Sequence, residues 1–92
     1  MRVQNAIRAK LTAALAPAVL DVVDESHLHA GHAGARPGGE THFRVRVVAA
    51  AFAGKSRLER QRLVYRTLAD ELAGGVHALA MTTLTPAEEA AR

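Results

Sequence analysis

Five histidines and no cysteine set the terms of any metal chemistry this chain can do. His27, His29 and His32 crowd into a segment that also holds Gly31, Gly34, Pro37, Gly38 and Gly39, while His77 opens the late apolar run VHAL and His42 sits in THF. Neutral imidazole is a borderline ligand suited to zinc, copper and iron. A glycine-rich loop can present it without strain, and a histidine at the mouth of a strand can point outward. Two imidazoles from separate segments supply half of a tetrahedral site, and with no thiolate in the chain the other half must come from elsewhere. Imidazoles alone do not establish ligation. A loop histidine is most often just solvated, and one at a strand end often only bonds a backbone carbonyl. His27 falls inside the strand-end segment DESH and is the weakest candidate ligand; His42 is expected on the outward side of its strand, in a surface or structural role.

A second group of residues suits anions. Lys55, Arg57, Arg60, Arg62 and Arg66 concentrate positive charge at a turn and over the first two turns of the helix that follows, and Arg44 and Arg46 add to it from a neighbouring strand. Cations near a helix N-terminus oppose the helix dipole, so local stability does not account for them. They suit a phosphate backbone or an acidic protein face; the plain alternative is a solvated helix face. Stacking of single-stranded bases is disfavoured, because Phe43, Phe52 and Tyr65 all have expected core positions.

The elements that must position these groups are legible from periodicity. Ile7, Leu11, Ala14 and Leu15 form one stripe of a helix that Pro17 closes. VLDVVDES, from Val19, is rich in β-branched residues and reads as a strand. Residues 25–40 are too glycine-rich for regular structure. Phe43, Val45 and Val47 then alternate with His42, Arg44 and Arg46, a half-buried strand with a basic outer face. Ser56 caps a helix, with Glu59 completing a capping box; its apolar stripe is Leu58, Tyr65, Leu68 and Leu72, and Gly74 with Gly75 ends it. Residues 76–84 read as a third strand. Thr85, Pro86 and Glu88 repeat the capping logic to start a short terminal helix. The order α-β-β-α-β-α predicts an α+β fold with a three-stranded mixed sheet and helices packed on it. The strand–helix–strand step should make the second and third strands parallel.

Size and composition narrow the function. A chain of 92 residues is expected to form one domain with a small core, which leaves little room for a deep enzyme pocket and favours a binding or carrier role. No nucleophile–base–orienter set is legible, so an enzyme is not expected. No apolar run is long enough to span a membrane, and MRVQNAIRAKL reads as an ordinary first helix, with no secretory core. The composition suits a reducing cytosol. The net charge of +3 is modest, so the placement of the cations matters more than their excess.

The segments DESH from Asp24, GETHF from Gly39, FAGKSRLERQR at 52–62, VHAL at 76–79 and TPAEE at 85–89 occur in an order and at spacings that resemble the BolA family over nearly the whole chain. The resemblance implies one BolA-like domain over residues 1–92, with a topology similar to the type II K-homology fold. It implies a partnership with a monothiol glutaredoxin in which a [2Fe-2S] cluster is shared, one iron held by the glutaredoxin cysteine and a glutathione thiol. The other iron is then held by a histidine near the start of the third strand, here His77, and by a histidine of the hairpin loop. Counting forward from DESH selects His29, whereas counting back from GETHF comes closer to His32; His29 is preferred. On this reading the isolated chain is a cytoplasmic monomer with no cofactor of its own, working in cluster assembly, cluster delivery or iron sensing. The family also resembles a small DNA-binding regulator of stress response and cell shape, which makes duplex DNA the alternative partner. The K-homology clamp on single strands uses a GxxG loop between two helices. Here Gly31, His32, Ala33 and Gly34 have that pattern inside the strand–strand loop, and the expected place holds FAGKSRL with one glycine, so that clamp is disfavoured.

Overall fold

A computed structural model describes residues 2–26 and 40–92. The candidate loop ligands His29 and His32, together with His27 and the GxxG-like glycines, lie outside the described residues. The elements are α1 (Arg2–Leu15), β1 (Val19–Asp24), β2 (His42–Val48), a 3-10 turn (Ala50–Phe52), α2 (Arg57–Thr67), α3 (Ala69–Ala73), β3 (Ala78–Leu84) and α4 (Pro86–Ala90). The sheet order is β1-β2-β3, antiparallel across the first pair and parallel across the second. The α+β class and the mixed sheet are those expected from the sequence.

Ile7, Leu11 and Leu15 bury one edge of α1, while Ala14 faces solvent, so the stripe is narrower than its apolar letters suggest. They meet Val22, Phe43, Val45 and Val47 from the sheet and Phe52, Val64, Leu68 and Val76 from the second half of the chain in a single core. Helix α1 also shields the outer edge of the sheet. Gln4 Nε2 donates to the Val22 carbonyl at 2.8 Å and Arg8 Nη1 to that of Leu20 at 3.4 Å, occupying acceptors that an exposed edge strand would offer to another chain.

Both capping boxes form, Ser56 with Glu59 and Thr85 with Glu88, the second with proline at the start of its helix. The helix after Ser56 departs from expectation in two ways. It breaks at Leu68 (φ −105°, ψ 21°) into α2 and α3, one residue after Thr67, whose hydroxyl donates back to the Leu63 carbonyl at 2.8 Å; such back-bonding bends helices. Its buried stripe is also rotated. Val64 and Leu68 are the core residues, whereas Leu58 and Tyr65 are 53% and 41% exposed. The reason is Arg60, one turn before Val64, whose side chain takes a place that the stripe would give to an apolar residue. The third strand begins at Ala78 and not at Val76: Val76 is buried, and the amides of His77 and Ala78 both donate to the Thr41 carbonyl, at 2.6 and 3.1 Å.

Candidate functional site

Segments far apart in sequence converge at one corner of the sheet. Asp24 Oδ1 accepts from the Ser26 amide at 2.9 Å and from its hydroxyl, and Asp24 Oδ2 accepts from the Glu40 amide at 3.0 Å. Ser26 Oγ in turn accepts from the Thr41 amide at 2.9 Å and the His42 amide at 3.2 Å, and the Glu25 amide donates to the His42 carbonyl at 2.8 Å. This clasp ties both roots of the histidine loop together, and Ser26 and Thr41 are buried in it. The Thr41 carbonyl then receives the amides of His77 and Ala78, so DES, GETHF and VHAL meet within a few bonds of one another.

His77 is exposed at this corner, as expected for a side chain presented at a strand mouth. His42 is not on the surface. It is 6% exposed, a correction to the reading of an outward-facing residue. Its strand is the central one, flanked on both sides, with Ala78 opposite it in β3. The His77 ring lies 5.3 Å from it, centroid to centroid, at an interplanar angle of 53°, and a 2.8 Å hydrogen bond joins Thr41 Oγ1 to His42 Nδ1. Alternation along the strand was a sound guide to direction; the neighbours that cover His42 lie elsewhere in the sequence.

The cations fall into separate groups. Arg60 is committed to the fold: its side chain is only 11% exposed, and its guanidinium donates to Glu88 at 2.6 Å and to the carbonyls of Lys55 and Thr83 at 3.0 and 3.1 Å. It also stands 5.8 Å from the centre of the Phe52 ring. Arg60 beside Glu88, with the Thr85 amide, holds that carboxyl at about 2. Lys55, Arg57, Arg62 and Arg66 are exposed. Arg57 lines a cleft of about 440 Å³ between α2, β3 and Glu88, whereas Arg62 and Arg66 flank Tyr65 in a groove of about 430 Å³ on the other side of the helix. Lys55 borders both. On the strand, Arg44 pairs with Glu25 at 3.1 Å, and Arg46 pairs with Glu89 and, at 3.7 Å, with Asp21. The strand cations are therefore largely neutralised, while Lys55, Arg57, Arg62 and Arg66 place exposed positive charge just before and along α2.

A shared iron–sulfur cluster can be tested against these residues. Among the described residues no group of three or more histidines, cysteines, aspartates and glutamates stands close enough to hold a metal, and the chain has no thiol. What the described residues offer is the exposed imidazole of His77, close to both ends of the segment 27–39, whose sequence carries three more histidines. That donor set fits half of a cluster's coordination and leaves the sulfur ligands to another molecule. No described helix is long and apolar enough to cross a membrane.

Comparison with known proteins places this geometry in a family. The family model described as BolA-like protein matches residues 11–88. BolA-like protein 1 of Pongo abelii is 55% identical over 86 residues, covering 94% of this chain and 60% of that protein, so the chain spans somewhat over half the length of that relative. The DNA-binding transcriptional regulator BolA of Escherichia coli is 46% identical over 85 residues, covering 92% of this chain and 77% of the relative. Among solved structures, the BolA domain of SufE1 from Arabidopsis thaliana superposes with a TM-score of 0.85 at 49% identity, covering 92% of this chain and 93% of that one. With most of its length matched in sequence and in fold, the chain belongs to the BolA family.

Proposed function

We propose that this protein is a non-enzymatic partner of a monothiol glutaredoxin, sharing a [2Fe-2S] cluster with it and with glutathione in cluster assembly, cluster delivery or iron sensing. The observation that carries the proposal is the position of His77. It is exposed, anchored through its own amide on the Thr41 carbonyl, and set where the roots of the histidine loop are clasped together. The chain contributes imidazoles and the partner contributes sulfur. Neutral imidazole in place of thiolate raises the potential of such a centre, and the chain's own part is to hold one imidazole rigidly on the sheet and to offer a second from the loop, preferably His29, with His32 as its alternative.

The test is anaerobic reconstitution with a monothiol glutaredoxin, glutathione, iron and sulfide, followed by visible absorption and circular dichroism. His77→Ala is expected to leave the domain folded and to change the spectrum of the heterodimer. His29→Ala is expected to destabilise the cluster while His32→Ala has little effect. Small equal effects from both loop variants with a large effect from the double would mean that the loop ligand is not a single residue. No complex with any monothiol glutaredoxin under these conditions would rule out the cluster reading.

A second reading has its own support. The Escherichia coli relative is a DNA-binding transcriptional regulator, and the exposed Lys55, Arg62 and Arg66 around Tyr65 give this chain a cationic surface for duplex DNA.

A further inference from the structure

The two edges of the sheet are treated differently. On the β1 side, Gln4 and Arg8 of α1 occupy the carbonyls of Val22 and Leu20. On the β3 side the strand reads ALAMTTL and carries no charge and no proline, the features by which an edge strand ordinarily discourages pairing. The phase of its ladder decides which groups it presents. The Ala78 amide donates to the Thr41 carbonyl at 3.1 Å, and the Leu84 carbonyl accepts from the Ala49 amide at 2.9 Å. Ala78, Ala80, Thr82 and Leu84 therefore turn their backbone groups to β2, and Leu79, Met81 and Thr83 turn theirs outward. Among the described residues, one hydrogen bond reaches this outward row from beyond the sheet, that of Arg60 Nη1 to the Thr83 carbonyl at 3.1 Å.

Beside this edge runs the cleft of about 440 Å³, lined by Met81, Thr82 and Thr83 on the strand and by Lys55, Arg57 and Gln61 across from them. Lys55 and Arg57 are exposed, and the ion pairs of the described residues leave both of them out. Neighbouring carboxylates are committed elsewhere. Glu59 accepts from the Ser56 amide at 2.7 Å, and Glu88 accepts from Arg60 at 2.6 Å and from the Thr85 amide at 2.7 Å. The segment 27–39 contains no aspartate or glutamate. Outward backbone donors and acceptors with positive charge on the facing wall suit an extended main chain that carries negative side chains. The same charge argues against a second copy of this chain as the occupant. Two β3 edges paired about a twofold axis would bring two sets of Lys55 and Arg57 to one seam, where like charges repel.

We propose that β3 is an acceptor strand for an extended acidic segment of another protein, which adds to the sheet at Leu79 and Met81 and sets its carboxylates against Lys55 and Arg57. Main-chain bonds to Leu79 and Met81 supply the affinity, and the carboxylates supply the selectivity. Arg60 bonds the carbonyls of both Thr83 and Lys55, so it closes the edge where the cations begin. The site uses neither His77 nor the loop histidines, and it stands or falls apart from the cluster reading.

The test uses the full chain and a labelled peptide of threonine–valine repeats followed by glutamates, with anisotropy and amide resonances as readouts. The peptide is expected to bind saturably, to shift the Leu79 and Met81 amides and to slow their exchange with solvent. Lys55→Glu combined with Arg57→Glu is expected to weaken it by more than about tenfold. Met81→Pro removes an outward N–H, a change that an edge strand tolerates, and is expected to weaken binding by a similar factor. Where that variant fails to fold, a peptide methylated on its backbone nitrogens throughout the repeats carries the same test and is expected not to bind. Several results would overturn the proposal: no binding, equal binding of the methylated peptide, or wild-type affinity in a folded Met81→Pro. So would a dimer of the chain alone that Met81→Pro dissolves, or a cleft that takes a single-stranded oligonucleotide in preference to the peptide.

Discussion

At the scale of single residues, the candidate site rests on small polar groups more than on its histidines. Ser26 is buried and serves Asp24, Thr41 and His42 at once. Replacing it with alanine takes the side-chain acceptor away from the Thr41 and His42 amides, and a buried unsatisfied group costs about 1–3 kcal/mol. Ser26→Ala is therefore expected to destabilise the fold by about 2 kcal/mol in urea unfolding; a change below about 0.5 kcal/mol, the size of an ordinary surface substitution, would mean that the clasp does not hold the loop roots. Of the site residues, His77 was legible because it opens an apolar run and its side chain stays exposed. The burial of His42 was not, since Ala78 and His77, which lie against it, come from far along the chain. The clasp itself left a trace in the sequence: Asp24, Ser26 and Thr41 are residue types that bond nearby backbone groups at strand ends and turns, but their pairing across the loop is a tertiary fact.

At the scale of elements, the ends of helices followed their local chemistry and their faces did not. Ser56 with Glu59 and Thr85 with Glu88 cap where their types and spacing require, because a capping box is a contact between residues three apart. The face of α2 was misread because its buried stripe contains Arg60, a residue that carries a charge yet covers the Phe52 ring with its guanidinium. A long cationic side chain can line a core with its stem and satisfy its head elsewhere; here the head reaches Glu88 and the Thr83 carbonyl, tying α2 to both β3 and α4. This link titrates. The Glu88 carboxyl lies at about 2, held down first by Arg60 and then by the Thr85 amide, against 4.5 for the free group. A carboxyl whose folded value is depressed stabilises the fold above its unfolded value, and that contribution disappears as pH falls through the folded one. Wild type and Glu88→Gln are therefore expected to differ most above pH about 4.5 and to converge as the pH approaches about 2. Urea midpoints across that window measure the difference. A gap that stays constant with pH would show that the Arg60–Glu88 pair does not couple to folding.

At the scale of the whole molecule, the charge pattern separates the two functional readings. The sequence alone suggested one cationic band, because Lys55, Arg57, Arg60, Arg62 and Arg66 are close together in the chain. Folding divides it: Arg60 turns inward, Arg57 faces the cleft beside Glu88, and only Lys55, Arg62 and Arg66 share the groove around Tyr65. A duplex lying on that groove can neutralise about three phosphates. Counterion release then gives a slope of log affinity against log salt of roughly −2.7, a loss of about 40-fold between 50 and 200 mM salt. Charge reversal at Arg66 is expected to weaken all sequences about equally if it touches only phosphate, and to alter sequence preference only if it reaches a base edge. Charge reversal at Arg60 tests the division itself: the arginine is expected to matter for folding, through Glu88 and Phe52, and not for the salt slope. Binding to glutaredoxin, once iron–sulfur bonds hold the pair, is expected to depend less on salt than binding to DNA. Affinity for duplex DNA that is weak at physiological salt, indifferent to sequence and unchanged by Arg66→Glu would remove the regulator reading and leave the exposed imidazole at the clasped corner as the working surface of this protein.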